Sequence, residues 1–246
     1  MHGLIRRTAL IRVRRMAIST ESLGSAGLYR LLSWVSPSFP TGGFSYSHGI
    51  EGAAAGGAVH DRITLEIWVT AIIVRGSGRI DADTLCAAYR ASAAGNVAAL
   101  VAANRRGTAY RATAELALEA AQQGSAFVDT CRAAWPGTFP ACWDPAEEVC
   151  LAAAFGAAAA HAGIALGHAL VGYLQGFAAN LVAAGLRLGI IGQTDGQRIL
   201  AALEPIVGRA AAAAISREPA DFGASTFAAD VASMAHELQY SRLFRS

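Results

Sequence analysis

Apolar residues recur every three to four positions through most of the chain, and polar, glycine- or proline-bearing stretches separate the runs. That spacing is the period of an amphipathic helix, not the alternation of a strand. A first helix is predicted over 27–35, with Leu28, Leu31, Leu32 and Val35 on one face. A second is predicted over 44–55, ended by Gly56-Gly57. Asp61 and Thr64 are suited to cap a third, which carries Leu65, Trp68, Val69, Ile72 and Ile73. Further helices are predicted over 80–89, 97–105, 107–135, 196–203 and 206–215, with Pro205 bending or ending the chain between the last two. The last runs over 226–240, with Phe227, Val231, Met234 and Leu238 on one face. β-branched runs are few and short. The expected fold is all-α, a single-domain helical bundle of about ten helices.

One stretch interrupts this pattern more strongly than any other: 36–51, reading SPSFPTGGFSYSHGIE. Pro37 and Pro40 fix φ and remove two backbone donors, so no helix runs through them. Gly42-Gly43 allows a tight turn, and Ser45 or Ser47 can cap a new helix. Tyr46, His48 and Glu51 then place three functional side chains within a few residues. Residue types alone leave two readings, an interhelical connector and a partner- or ligand-facing loop on a rigid scaffold.

Composition narrows the chemistry. The hydrophobic share is 54%, but much of it is alanine, which favours helix and buries little area per residue. All 20 basic residues are arginine. Without lysine there is no Walker A lysine, no Schiff base and no Ser-Lys dyad. A net charge of +2 gives no nucleic-acid signature. Cys86, Cys131, Cys142 and Cys150 form no CxxC pair, which favours a reduced, cytoplasmic setting over a disulfide framework or zinc site. Residues 1–24 read as a flexible basic N-terminal arm, with Arg6, Arg7, Arg12, Arg14 and Arg15 among apolar residues, or as an upstream start assignment with Met16 the true beginning. Residues 25–246 form the predicted domain.

Three other features carry candidate chemistry. Glu115, Glu119 and Gln123 lie four apart in one row on a helix face. The row suits an acid–base pair or a metal platform, but without His or Asp in it a solvated or partner-facing row is favoured. From Cys150 to Leu186 there is no charged residue, long enough for one or two membrane spans. His161, His168, Gln175 and Asn180 interrupt the run and flanking aromatic belts are missing, so a buried helical hairpin is preferred. His161 and His168 are seven apart, not the i, i+4 of a metal pair, and read as core histidines. A second polar island, GIIGQTDGQ at 189–197, offers Thr194 or Asp195 as a helix cap. The chain ends in YSRLFRS, where Leu243 and Phe244 between Arg242 and Arg245 suit docking.

Four of these segments, in order, resemble the UreF family of urease accessory proteins: SPSFPTGGFSYSHGIE at 36–51; the Glu115, Glu119, Gln123-Gly124 row; Tyr173 through Gln197, ending LGIIGQTDGQ; and His236-Glu237 with the terminal YSRLFRS. The likeness covers roughly residues 25 to 246. The resemblance implies an all-α, cytoplasmic homodimer with no catalytic residues or activity of its own. It implies an assembly role in nickel insertion into apo-urease, bridging a β-rich scaffold (UreD, also called UreH) and the nickel-carrying GTPase UreG. It implies no tightly bound cofactor, nickel being handled by the complex, and no nucleic-acid or membrane partner. Some members bind nickel through a C-terminal His-x-Cys pair; here Cys150 is the last cysteine, so no metal residue is assigned. By the same likeness Tyr46, His48 and Glu51 are expected to face the GTPase, and His236, Glu237, Arg242, Leu243, Phe244 and Arg245 the scaffold. Glu115, Glu119, Gln193 and Asp195 complete the expected partner-binding set. Two competing readings are a small Ala-rich integral membrane protein and an acid/base enzyme using Glu115/Glu119 or His48/Glu51.

Overall fold

The most apolar run of the chain becomes its central helix. In the computed structural model, which describes residues 24–139 and 148–246, ten α-helices form and no strand occurs among the described residues. They are α1 (Ser25–Trp34), α2 (Ile50–Ala55), α3 (Arg62–Arg75), α4 (Ser77–Ala93), α5 (Val97–Ala109), α6 (Ala114–Ala134), α7 (Leu151–His161), α8 (Leu166–Arg187), α9 (Gln193–Ser216) and α10 (Phe227–Glu237). The all-α bundle predicted from periodicity is what forms.

Every residue of α7 from 152 to 159 is buried. A helix apolar all round is stable only when covered all round, and α4, α6 and α8 supply the cover. Glycines allow this close approach. A Cβ on Gly156 would lie 2.5 Å from the Leu85 carbonyl oxygen of α4. One on Gly124 of α6 would lie 1.8 Å from the Val149 carbonyl oxygen. An aromatic cluster fills one end, with Trp34 edge-on to Phe127 at 5.7 Å and to Phe155 at 5.8 Å. Phe39, from the proline loop, stacks on Trp135 at 6.2 Å and so anchors that loop to the core. Deeper in, Arg111 pairs with Asp81 at 2.5 Å and the Tyr173 hydroxyl donates to the other Asp81 oxygen at 2.8 Å.

The uncharged run becomes a hairpin, α7 and α8, turned at Gly163 with φ +66°. His161 and His168 therefore sit on different helices, and His161 Nδ1 lies 3.1 Å from the Ser92 hydroxyl. α8 and α9 are each long and apolar enough to cross a membrane, and half of the most apolar window of α8 is buried inside the bundle.

Several predicted boundaries move, each for a physical reason. The helix expected from residue 44 starts at Ile50, because His48 and Gly49 take left-handed φ values of +57° and +79° that end any helical path. Only a 3-10 turn, Gly43–Ser45, precedes it. The helix expected from 107 starts at Ala114, where the Thr113 hydroxyl accepts from Leu116 N at 3.2 Å. Gly107 lies inside α5 as a packing residue, since a Cβ there would meet Thr84 at 2.6 Å. The two short helices expected around Pro205 are one helix, α9, with Pro205 and Ala201 both exposed, so water can take the place of the missing hydrogen bond. That helix begins at Gln193 behind Gly192, with no side-chain cap from Thr194 or Asp195. The N-terminal arm over 1–23 and Cys142 lie outside the described residues. Cys86, Cys131 and Cys150 are buried and free, and burial pushes the Cys86 and Cys131 thiols up to about 12.

Candidate partner-docking site

The 36–51 loop and the C-terminal tail, far apart in sequence, form one site. Two glycines, Gly49 of the loop and Gly52 of α2, let α10 reach it. A Cβ on Gly52 would lie 2.3 Å from the Ala232 carbonyl oxygen, and one on Gly49 would lie 3.2 Å from Ser233 Cβ. α10 therefore rests on α2 at backbone distance. Its Ser233 hydroxyl meets the Thr113 hydroxyl at 2.8 Å. After α10 the chain folds back along residues 45–47: Arg245 N donates to Ser45 O and Ser47 N to Ser246 O, both at 2.9 Å.

Glu51 is the centre of this contact. Its carboxylate accepts from Leu243 N at 2.7 Å and from Phe244 N at 2.9 Å. His236, wholly buried, meets the same carboxylate through Nε2 at 3.0 Å and Glu115 through Nδ1 at 2.6 Å. The Glu51 carboxylate, held in its ionised form, only accepts, so Nε2 is the donor to it. Arg242 closes the group with an ion pair to the second Glu115 oxygen. A parallel group lies beside it. His48 Nδ1 faces Glu119 at 3.1 Å, His48 Nε2 meets the Ser77 hydroxyl, and the Ser246 hydroxyl donates to Glu119 at 2.7 Å. Tyr46 donates to Gln122 Oε1, with the Arg245 guanidinium 5.9 Å over its ring. Phe244 is buried under Arg187, which sits 4.5 Å from the ring centroid.

The charges are held by this geometry. Burial pushes the Glu51 carboxyl up, but the Leu243 and Phe244 amides and His236 outweigh it and leave it below the ordinary carboxylate range. Glu119 follows the same balance: burial opposes ionisation, and His48, Ser246 and Arg111 together overcome it. Burial raises the Tyr46 phenol.

The expected partner-binding residues thus divide. Tyr46, His48, Glu51, Glu119, His236 and Phe244 are buried, bonded to one another or to the tail. In the Glu115, Glu119, Gln123 row Glu119 is buried, while Glu115 and Gln123 are half-buried. Arg242, Leu243 and Arg245 are exposed along the tail, and Glu237 is exposed while accepting weakly from Glu115 N at 3.4 Å. Gln193 and Asp195 are not part of this network; Asp195 pairs with Arg198 at 2.9 Å in the first turn of α9. Sequence reading missed Ser77, Gln122 and Arg187, which carry no local signal, and offered Ser47 only as a helix cap, a bond it does accept from Glu51 N at 3.2 Å.

Chemically, Ser77–His48–Glu119 has the connectivity of a nucleophile, base and orienting acid. It equally ties the loop to α4, α6 and the tail, since Glu119 also holds Ser246. Among the described residues no group of three or more His, Cys, Asp or Glu side chains is placed to hold a metal ion. The surface beside the network is unusual. Phe227, Val231, Met234 and Leu238 of α10 are 81, 44, 50 and 89% exposed, and Tyr240 and Leu243 of the tail are exposed as well. Contiguous exposed apolar surface of this kind marks an interaction site.

The fold and site define an all-α protein whose C-terminal helix and tail are locked to a proline–glycine loop and present an apolar face outward. The chain belongs to the UreF family, whose model matches residues 59–204. The urease accessory protein UreF of Granulibacter bethesdensis is 46% identical over 229 residues, covering 92% of this chain and 97% of that protein. The proteins of the same name from Rhodopseudomonas palustris (strain BisB5) and Bradyrhizobium sp. (strain BTAi1) are 44% and 43% identical, covering 90% and 97% of this chain.

Proposed function

We propose that this chain is a cytoplasmic, dimeric assembly protein for urease, required for nickel insertion into the apoenzyme, and that it bridges the UreD/UreH scaffold and the UreG GTPase without catalysing a reaction itself. Nickel is cargo of the complex in this reading, not a resident cofactor. The observation that carries it is the exposed stripe Phe227, Val231, Met234 and Leu238, together with the exposed Leu243 of the tail. Phe and Met, two of its four side chains, are among the residue types enriched at interfaces. We assign the stripe and the exposed Arg242 and Leu243 to the scaffold contact. Tyr46, His48 and Glu51 then act by shaping the loop and tail, and reach a partner only through that shape.

The test is co-expression with the scaffold and the GTPase, followed by size-exclusion chromatography and urease activation with nickel. A Met234→Asp, Leu238→Asp variant should keep its helical circular dichroism and lose the scaffold. Interface anchors cost about 2 kcal/mol or more when truncated, so capture should fall by more than tenfold. Undiminished co-purification of the folded variant would refute the assignment.

A further inference from the structure

A cavity of about 330 Å³ lies between α3, α4 and α9. Its walls are apolar where Ile73 and Val74 of α3 face Ile206 and Ala210 of α9. Its remaining lining includes three guanidinium groups, Arg79, Arg209 and Arg217. One carboxylate offsets them: Asp83, buried, is paired through one oxygen with Arg217, feels the charge of Arg79 as well, and keeps its other oxygen buried without a partner. Arg79 gives one Nη2 bond to the Asp221 carbonyl oxygen at 2.7 Å, and its Nε is buried without a partner. Arg209 is exposed and forms no ion pair among the described residues.

Three arginines around one cavity, against the single Asp83 carboxylate, leave it with a net positive charge. Like charges repel, and a buried N–H with no acceptor loses a hydrogen bond that water had provided. An acceptor-only anion removes both costs. Guanidinium groups match carboxylate and phosphate oxygens in geometry, and a few polar groups set in apolar walls, at this volume, are the usual makeup of a small-molecule site. We propose that this cavity binds a small organic oxyanion, its carboxylate or phosphate held by Arg79, Arg209 and Arg217 and its apolar part laid against Ile73, Val74 and Ile206. The proposal is independent of the docking surface on α10, and its failure would leave that surface untouched.

Calorimetric titration of the full-length chain tests it, with sodium hexanoate in one arm, sodium phosphate in another, and sodium chloride at matched ionic strength as the reference. At least one oxyanion should bind saturably, with affinity at least tenfold weaker in Arg209→Gln and unchanged in Arg198→Gln, whose guanidinium lies elsewhere on α9. Binding of hexanoate alone assigns the site to apolar carboxylates, and binding of phosphate assigns it to phosphate esters; either supports the proposal. It is overturned if neither anion saturates, if chloride reproduces the response, or if Arg209→Gln binds as the parent does.

Discussion

Glu51→Gln is the sharpest probe of how the tail is held. The carboxylate accepts three hydrogen bonds, from Leu243 N, Phe244 N and His236 Nε2, at 2.7 to 3.0 Å. Glutamine keeps the shape and replaces one acceptor oxygen by an amino group that only donates. With that group at the Oε1 position it confronts Leu243 N–H; at the Oε2 position it confronts Phe244 N–H and His236 together. At least one bond is lost whichever way the amide turns, and the survivors weaken from charged to neutral acceptors. Bonds to charged groups contribute about 1.5–3 kcal/mol each, and an unsatisfied buried donor costs about 1–3 kcal/mol. A loss of about 3 kcal/mol is therefore expected. At about 1.4 kcal/mol per factor of ten, the open-tail population should rise by roughly a hundredfold. Amide hydrogen exchange reads this directly: protection at Leu243 and Phe244 should fall by about two orders of magnitude while the α7 amides keep theirs. Unchanged exchange at those two amides in a folded variant would refute the claim that Glu51 holds the tail.

Three further outcomes rest on the same geometry. Glu51 and Glu119 are held below their ordinary value of 4.5; such groups contribute fully above that value and lose the contribution as pH falls through the depressed one. Tail protection should thus be lost on acidification below pH 4.5, and the Glu51→Gln chain should show a smaller loss, measured by exchange across pH. Gly124→Ala drives a methyl into the Val149 carbonyl, an overpacking that costs about 1–3 kcal/mol or more and should lower the melting temperature by several degrees; Gly208→Ala, in open space on α9, should be neutral or stabilising by up to about 1 kcal/mol. If Ser77–His48–Glu119 is a tether, the parent chain should not be labelled by a fluorophosphonate probe; labelling that disappears in Ser77→Ala would restore the enzyme reading.

Helix existence was legible in the sequence because burial imposes a 3.6-residue period, and α3 shows it most plainly: Asp61 and Thr64 form a full capping box ahead of Leu65, Val69, Ile72 and Ile73. Boundaries were less legible because glycine has two uses. Gly107 reads as a stop and serves as a packing contact, while Gly49 reads as ordinary and sets a left-handed turn. The importance of the 36–51 loop was visible in its density of polar and turn residues. That its polar side chains point inward was not, because their partners lie far along the chain: Glu119 is 71 residues from His48, and His236 is 185 from Glu51. The stripe on α10 illustrates a further limit. Its period announces a helix with one apolar face, but periodicity does not say on which side of that helix the rest of the bundle lies.

That side is fixed by polar groups. α10 buries Ala232, Ser233 and His236 and leaves its large apolar residues in water, the reverse of a helix packed for its own stability. Rotating it to bury Phe227 and Leu238 would carry His236 out from between Glu51 and Glu115 and strip Ser233 from Thr113. It would also break the approach that Gly52 permits to the Ala232 backbone. The ionic contacts thus hold an apolar surface open that the hydrophobic effect alone would close. On the proposed scaffold contact, a partner that covers the stripe needs the latched arrangement, and its apparent affinity then scales with the latched fraction. Substitutions at Glu51, which is buried, should then weaken scaffold capture once the latched form is no longer dominant, and by the factor that tail exchange reports beyond that point. Equal capture by a chain whose tail is measurably open would separate the latch from the docking face.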